Sequence, residues 1–147
     1  MIDYKKIINI VEKEADTIDS LLLTMKKKQE SIISLTVDNL KSSINEEIKL
    51  VSLTKWLENE RLSLLNQFVG SEMDSAKMTM SDIIKSAPET DSAHLQKLKG
   101  RLQKSLDELK HVNDTNMLLL ERSKKFIKEN ISILTCYGEK QLVNKRV

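Results

Sequence analysis

Glu108-Leu109-Lys110-His111 is an E-x-x-H, a spacing that sets a carboxylate and an imidazole on one helix face and ligates di-metal centres in four-helix bundles. Such a centre takes a second copy from another helix. The nearest substitute, Asp91-Ser92-Ala93-His94, lies on the same final helix, about 25 Å away at the standard rise, and cannot share an ion with the first. Both motifs therefore read as solvated polar residues, and no metal or cofactor is expected. The chain has two histidines and one cysteine, Cys136. A lone cysteine allows no intrachain disulfide and suits a reducing compartment; without a neighbouring His it reads as an ordinary thiol. Glycine-rich phosphate loops, nucleophile elbows and Cys-x-x-Cys pairs do not occur. The sequence reads as that of a non-enzymatic protein.

What would position any functional side chain is a set of long helices. The 147 residues include one Pro and three Gly, and aromatic residues make up 3%. Turn-rich β architectures have almost nothing to be built from, whereas Leu, Ile, Lys and Glu suit helices. The 24 basic and 22 acidic residues are interleaved for a net charge of +2, a solvated surface rather than a nucleic-acid footprint. Arg61, Arg101, Arg122 and Arg146 are the only arginines, so bidentate phosphate recognition has few agents. Lys26-Lys27-Lys28 has acidic neighbours and reads as a solvated helix face. The longest apolar run, Met117 to Leu120, is far short of a membrane span. Charges among the first residues break up any signal-peptide core, so no membrane insertion and a cytoplasmic location are expected.

Tyr4, Ile8, Val11, Ala15, Ile18, Leu22, Met25 and Ile32 recur at spacings of three and four, with Gln29 polar in the stripe. This predicts a helix of about 30 residues with a coiled-coil-like seam. Its end is placed between Ser34 and Asp38 on capping residue types alone. A second helix is expected from about Val37 to Val69, with Gly70 as its terminating glycine. Thr79-Met80-Ser81-Asp82 resembles a capping box that opens a short helix to about Ser86, stopped by Pro88.

The last helix is expected from about Asp91 to Tyr137. Its heptad runs Leu95, Leu98, Leu102, Ser105, Leu109, Val112, Asn116, Leu119, Ser123, Phe126, Asn130, Ile133, and a second stripe passes through Leu106, Leu120, Ile127, Ile131 and Leu134. Apolar residues on more than one face predict that one face packs inward while another meets a partner. The fold class is all-α, an elongated antiparallel bundle of three long helices plus one short helix. Residues 1–137 form a single domain and residues 138–147 a flexible C-terminal tail.

Asn113-Asp114-Thr115-Asn116-Met117-Leu118-Leu119-Leu120-Glu121, with Cys136-Tyr137-Gly138 downstream, resembles the C-terminal signature of the FlgN family of flagellar export chaperones. In that family an N-x-x-N-x-x-L-L-E segment lies on the last long helix and a Tyr-Gly pair follows. Leu53-Thr54-Lys55-Trp56-Leu57-Glu58-Asn59-Glu60-Arg61-Leu62 is similar to the family's charged, leucine-rich second helix. Met117 stands where family members often carry Gly, and Glu139-Lys140 replaces a glycine-containing turn.

The resemblance implies a cytoplasmic chaperone of type III secretion. Its clients are hook-filament junction proteins, whose terminal amphipathic helix it covers until delivery to the export gate. It places client binding on the last helix, here Leu119, Leu120, Phe126, Ile127, Ile131 and Leu134. It also gives Tyr137 the docking contact with the cytoplasmic domain of the export gate. Asn113 and Asn116 read as register-setting positions inside the bundle. A structural coiled-coil adaptor or oligomerisation module remains the alternative, and a homodimer through the exposed seam stays open.

Overall fold

A computed structural model describes residues 2–68 and 79–146, with side chains outside the description at 68 and 137–146. The architecture is all-α, in the order α1 (Tyr4–Ile33), α2 (Val37–Phe68), α3 (Met80–Ser86) and α4 (Glu89–Arg146). Asp3 opens α1 by accepting the Lys6 N–H at 3.3 Å. The Thr79–Asp82 pair closes a reciprocal capping box at α3, in which the Thr79 N–H donates to Asp82 Oδ2 and the Asp82 N–H to Thr79 Oγ1. Gly70, expected to end α2, lies outside the described residues.

The α1–α2 turn falls within the interval expected, but its geometry was not foreseeable from residue type. Leu35 has φ 56°, the left-handed region that usually takes glycine. Around it, Thr36 N–H donates to Ser31 O at 3.0 Å and Leu35 N–H to Ile32 O at 3.3 Å. This is the Schellman hydrogen-bond pair with a leucine at the position normally held by Gly.

The register of the helices follows from their side-chain bonds. Glu12 to His94, Asp19 to Arg101 and Lys26 to Glu108 each span 82 residues, a constant difference that only a parallel pair in register produces. Thus α1 and α4 run parallel. Between α1 and α2 the span grows from 19 for Lys28–Glu47 to 47 for Glu14–Arg61, as antiparallel neighbours require. In consequence α1 packs along both α2 and α4, whereas among the described residues the backbones of α2 and α4 do not approach each other.

This central position explains why α1 buries more than one stripe. The expected stripe is inside, and Ile7, Glu14, Thr17, Leu21, Thr24 and Ser31 are buried beside it. The hydroxyls of Thr17, Thr24 and Ser31 each donate to the carbonyl four residues earlier, so polar side chains enter close helix contacts without orphaned groups. One apolar cluster joins Ile7 and Val11 to Leu65, Ile83, Leu95 and Leu98, so that all four helices meet at the α3 end. A second joins Leu21, Leu22 and Met25 to Val112.

Helix α4 is longer than expected at both ends. It has 58 residues, about 87 Å at the standard rise, against 30 for α1 and 32 for α2. The helix end expected after Tyr137 is not there, because the backbone stays helical through Gly138 to Arg146. A single glycine costs about 1 kcal/mol, and extending an existing helix avoids the nucleation penalty that a separate tail segment would meet.

Candidate functional site

Glu108 and His111 are not brought together with His94 and Asp91. Lys26 donates to Glu108 Oε1 at 2.7 Å and holds that carboxyl below its ordinary range, while His94 Nε2 lies 2.9 Å from Glu12 Oε1. Among the described residues no group of three His, Cys, Asp or Glu is placed to hold a metal ion. These polar groups lace α4 to α1. Arg101 does the same, reaching Asp16 at 2.7 Å and Asp19 at 2.6 Å, and Ser105 donates to Asp19 Oδ1 at 2.6 Å.

The α1–α2 seam carries its own pairs. Arg61 Nε donates to Glu14 Oε1 at 3.1 Å and Lys28 to Glu47 Oε2 at 2.9 Å. Burial pushes the Glu14 carboxyl above its ordinary value, against the lowering effect of Arg61 and with a further push from Glu58.

The heptad of α4 faces α1 while α1 lasts. Leu95, Leu98, Ser105, Val112 and Asn116 are buried, and Leu119 and Ser123 are half-buried. Because α1 ends at Ile33, the register brings that end level with Thr115 to Lys124. The same heptad then continues through Phe126, Asn130 and Ile133 without a helix to pack on, and every described side chain from Lys124 to Cys136 is exposed. Phe126 is 60% exposed, Ile127 48%, Ile131 58% and Leu134 68%.

The residues expected to meet a client therefore occupy different surroundings. Leu120 and Ile127 line an apolar groove of about 390 Å³, whose other walls are Ile32, Leu35, Val37 and Leu40 from the α1–α2 turn. Ile127, Ile131 and Leu134, at spacings of four and three, share one stripe of the projecting helix. Phe126 stands one residue from Ile127, roughly 100° around the axis. Leu119 packs partly inward. The Tyr137 side chain lies outside the described residues.

Sequence reasoning missed the contribution of the turn, since Leu35 and Val37 occupy a stretch with no glycine or proline to mark it. It also gave no binding role to Ile48 and Trp56, both exposed on α2. The described helices include none long and apolar enough to cross a membrane.

Chemically the arrangement offers exposed apolar area on the projecting part of α4 and in the groove at the α1–α2 turn. A family model described as FlgN protein matches residues 1–142. No curated protein and no solved structure matches the chain. The matched span takes in all four helices and most of the projecting part of α4, and on it the chain belongs to the FlgN family, a family of flagellar export chaperones.

Proposed function

We propose that this protein is a cytoplasmic chaperone that binds the terminal amphipathic helix of hook-filament junction proteins, prevents their premature assembly and delivers them to the type III export gate. Family membership supports the general role in flagellar export. The observation that carries the specific reading is the projecting part of α4, where Phe126, Ile127, Ile131 and Leu134 are exposed together beyond the end of α1.

An isolated soluble helix has no reason to keep such a surface unless a partner covers it for part of its life. An amphipathic client helix satisfies its own main-chain hydrogen bonds and brings apolar anchors at i, i+3, i+4 and i+7 to a matching stripe. Ordering the client on binding costs about 2 to 5 kcal/mol of the gross interaction, which leaves a complex able to release its cargo. Leu120, with the half-buried Leu119 behind it, joins this stripe to the groove at the α1–α2 turn. Tyr137, on the same helix, is the proposed contact with the cytoplasmic domain of the export gate.

The test is capture of a purified junction protein by the wild-type chain and by Phe126→Asp/Ile131→Asp. Capture that needs both apolar residues supports the reading; no capture by the wild type removes it.

A further inference from the structure

The two closed seams of the bundle and the open side between α2 and α4 carry opposite charge logic. Where α1 meets α4 or α2, acids and bases pair across the interface, as in Glu12–His94, Asp19–Arg101 and Glu14–Arg61. On the side where α2 and α4 do not approach, the lips carry lysine. Leu40 on α2 and Leu120 on α4 both line the groove, and helical spacing from them fixes which residues share that side. On α2 it holds Ile44, Ile48 and Val51, with Lys41 and Lys55 beside them. On α4 it holds Leu106, with Lys110 and the groove-lining Lys124.

All four of these apolar side chains are exposed. None of the four lysines has an ion pair or hydrogen-bond partner among the described residues. Glu121, near them on α4, pairs with none of them.

The bundle also shows what fits there. At its other end α3 fills the space between α2 and α4: Ile83 is fully buried in a cluster with Leu65 of α2 and Leu95 and Leu98 of α4, and Lys99 of α4 donates to Ser81 of α3 at 2.7 Å. Helix α3 has only seven residues, so it covers the start of this side and leaves the rest, from about Leu102 to Ile127, without a lid. That length is about 37 Å, which a helix of about 25 residues spans.

We propose that this groove between α2 and α4 is the seat of a single client helix of about 25 residues, apolar along one stripe and flanked on both sides by Asp or Glu. A client helix seated there continues the line begun by α3, completes a four-helix bundle and leads at Ile127 onto the Ile131 and Leu134 stripe of the projecting helix, where the client chain continues. Its acidic flanks meet Lys41 and Lys55 on one lip and Lys110 and Lys124 on the other. A second copy of this chain fits poorly, because its corresponding face is itself lined with lysine and like charges across an interface repel. The inference rests on the chaperone reading only for the source of the helix, and it adds α2 to the binding surface and an acidic requirement to the client.

The experiment uses two fluorescein-labelled synthetic peptides of 25 residues that share one Leu/Ile stripe and carry either Glu or Lys at the flanking positions, titrated against the full chain by anisotropy at low salt. The Glu peptide is expected to bind at least about tenfold more tightly, with the preference shrinking as salt screens the charges. In Lys41→Glu/Lys55→Glu/Lys110→Glu/Lys124→Glu, which changes exposed residues only, the preference is expected to invert. Ile48→Asp is expected to weaken the Glu peptide about tenfold with unchanged circular dichroism.

Equal binding of the two peptides, a preference that survives the charge reversal, or full binding by Ile48→Asp overturns the assignment. Junction-protein capture is measured in parallel. If capture fails while the Glu peptide binds as expected, the chaperone reading falls and the groove stands; if capture succeeds with no peptide preference, the groove assignment alone falls.

Discussion

The side-chain amide of Asn116 donates to the main-chain carbonyl of Met25 at 2.9 Å, across the α1–α4 seam and almost wholly out of solvent. It is the deepest polar contact between the two parallel helices, and a shift of α4 by one turn would strand the amide in apolar surroundings. Asn116→Ala is expected to lower stability by about 1 to 3 kcal/mol, from the lost bond and the space left behind. Asn116→Leu is expected to keep stability within about 1.5 kcal/mol of wild type while loosening the choice of register. Urea unfolding measures the first effect. Cysteine pairs placed across the seam in and out of register report the second, and crosslinking confined to the native register in Asn116→Leu would contradict the register role.

Two carboxylates should answer pH in opposite directions. Burial pushes Asp19 up, but hydrogen bonds from Ser105 and Arg101 outweigh it and leave the group below its ordinary value. Its contribution to stability is therefore present above the unfolded-state value and lost as pH falls through the folded one. Glu14 is raised by burial, so the native state holds that proton more firmly. Its contribution is largest below the unfolded-state value and declines as pH rises through the folded one. Ser105→Ala is expected to move the Asp19 midpoint upward in a carboxyl NMR titration while Glu14 stays in place. An unmoved Asp19 would show that the 2.6 Å contact does not set its acidity.

Leu35 holds a left-handed backbone at φ 56°, which costs a side chain with Cβ about 1 to 2 kcal/mol. Leu35→Gly is expected to stabilise the chain by about 1 kcal/mol, raising Tm by about 2 to 4 °C for a protein of this size. Leu35→Ala keeps the strained backbone and is not expected to stabilise. Thermal melts of the two variants decide the matter, and equal behaviour would place the strain elsewhere.

The elements were legible where apolar spacing or capping chemistry marks them. The Tyr4-to-Ile32 stripe, the Thr79–Asp82 capping box and the Leu95-to-Asn116 heptad all stand where their residue types put them. Other features leave no such mark. The second buried line of α1 hides behind Thr17, Thr24 and Ser31, which look exposed by type and are satisfied by their own helix. The α1–α2 turn uses leucine where glycine would have announced it. The heptad of α4 reads continuously past Ser123, so that only the register against α1 shows where its partner ends. The open α2–α4 side was invisible for the same reason, since it depends on which helices fail to meet.

Tyr137 lies on the projecting part of α4, one helix for both proposed contacts. Tyr137→Ala is expected to leave capture of the junction protein nearly intact and to weaken recruitment to the cytoplasmic domain of the export gate, both read by pull-down with purified components. Equal loss of both activities would make Tyr137 structural.

The most direct measurement is capture of a hook-filament junction protein by Phe126→Asp/Ile131→Asp, with helicity followed by circular dichroism. Both side chains are exposed, so the helix is expected to survive and capture to be abolished. Capture at the wild-type level, or a collapse of helicity, would contradict the claim that the far end of α4 is a surface kept free for a client.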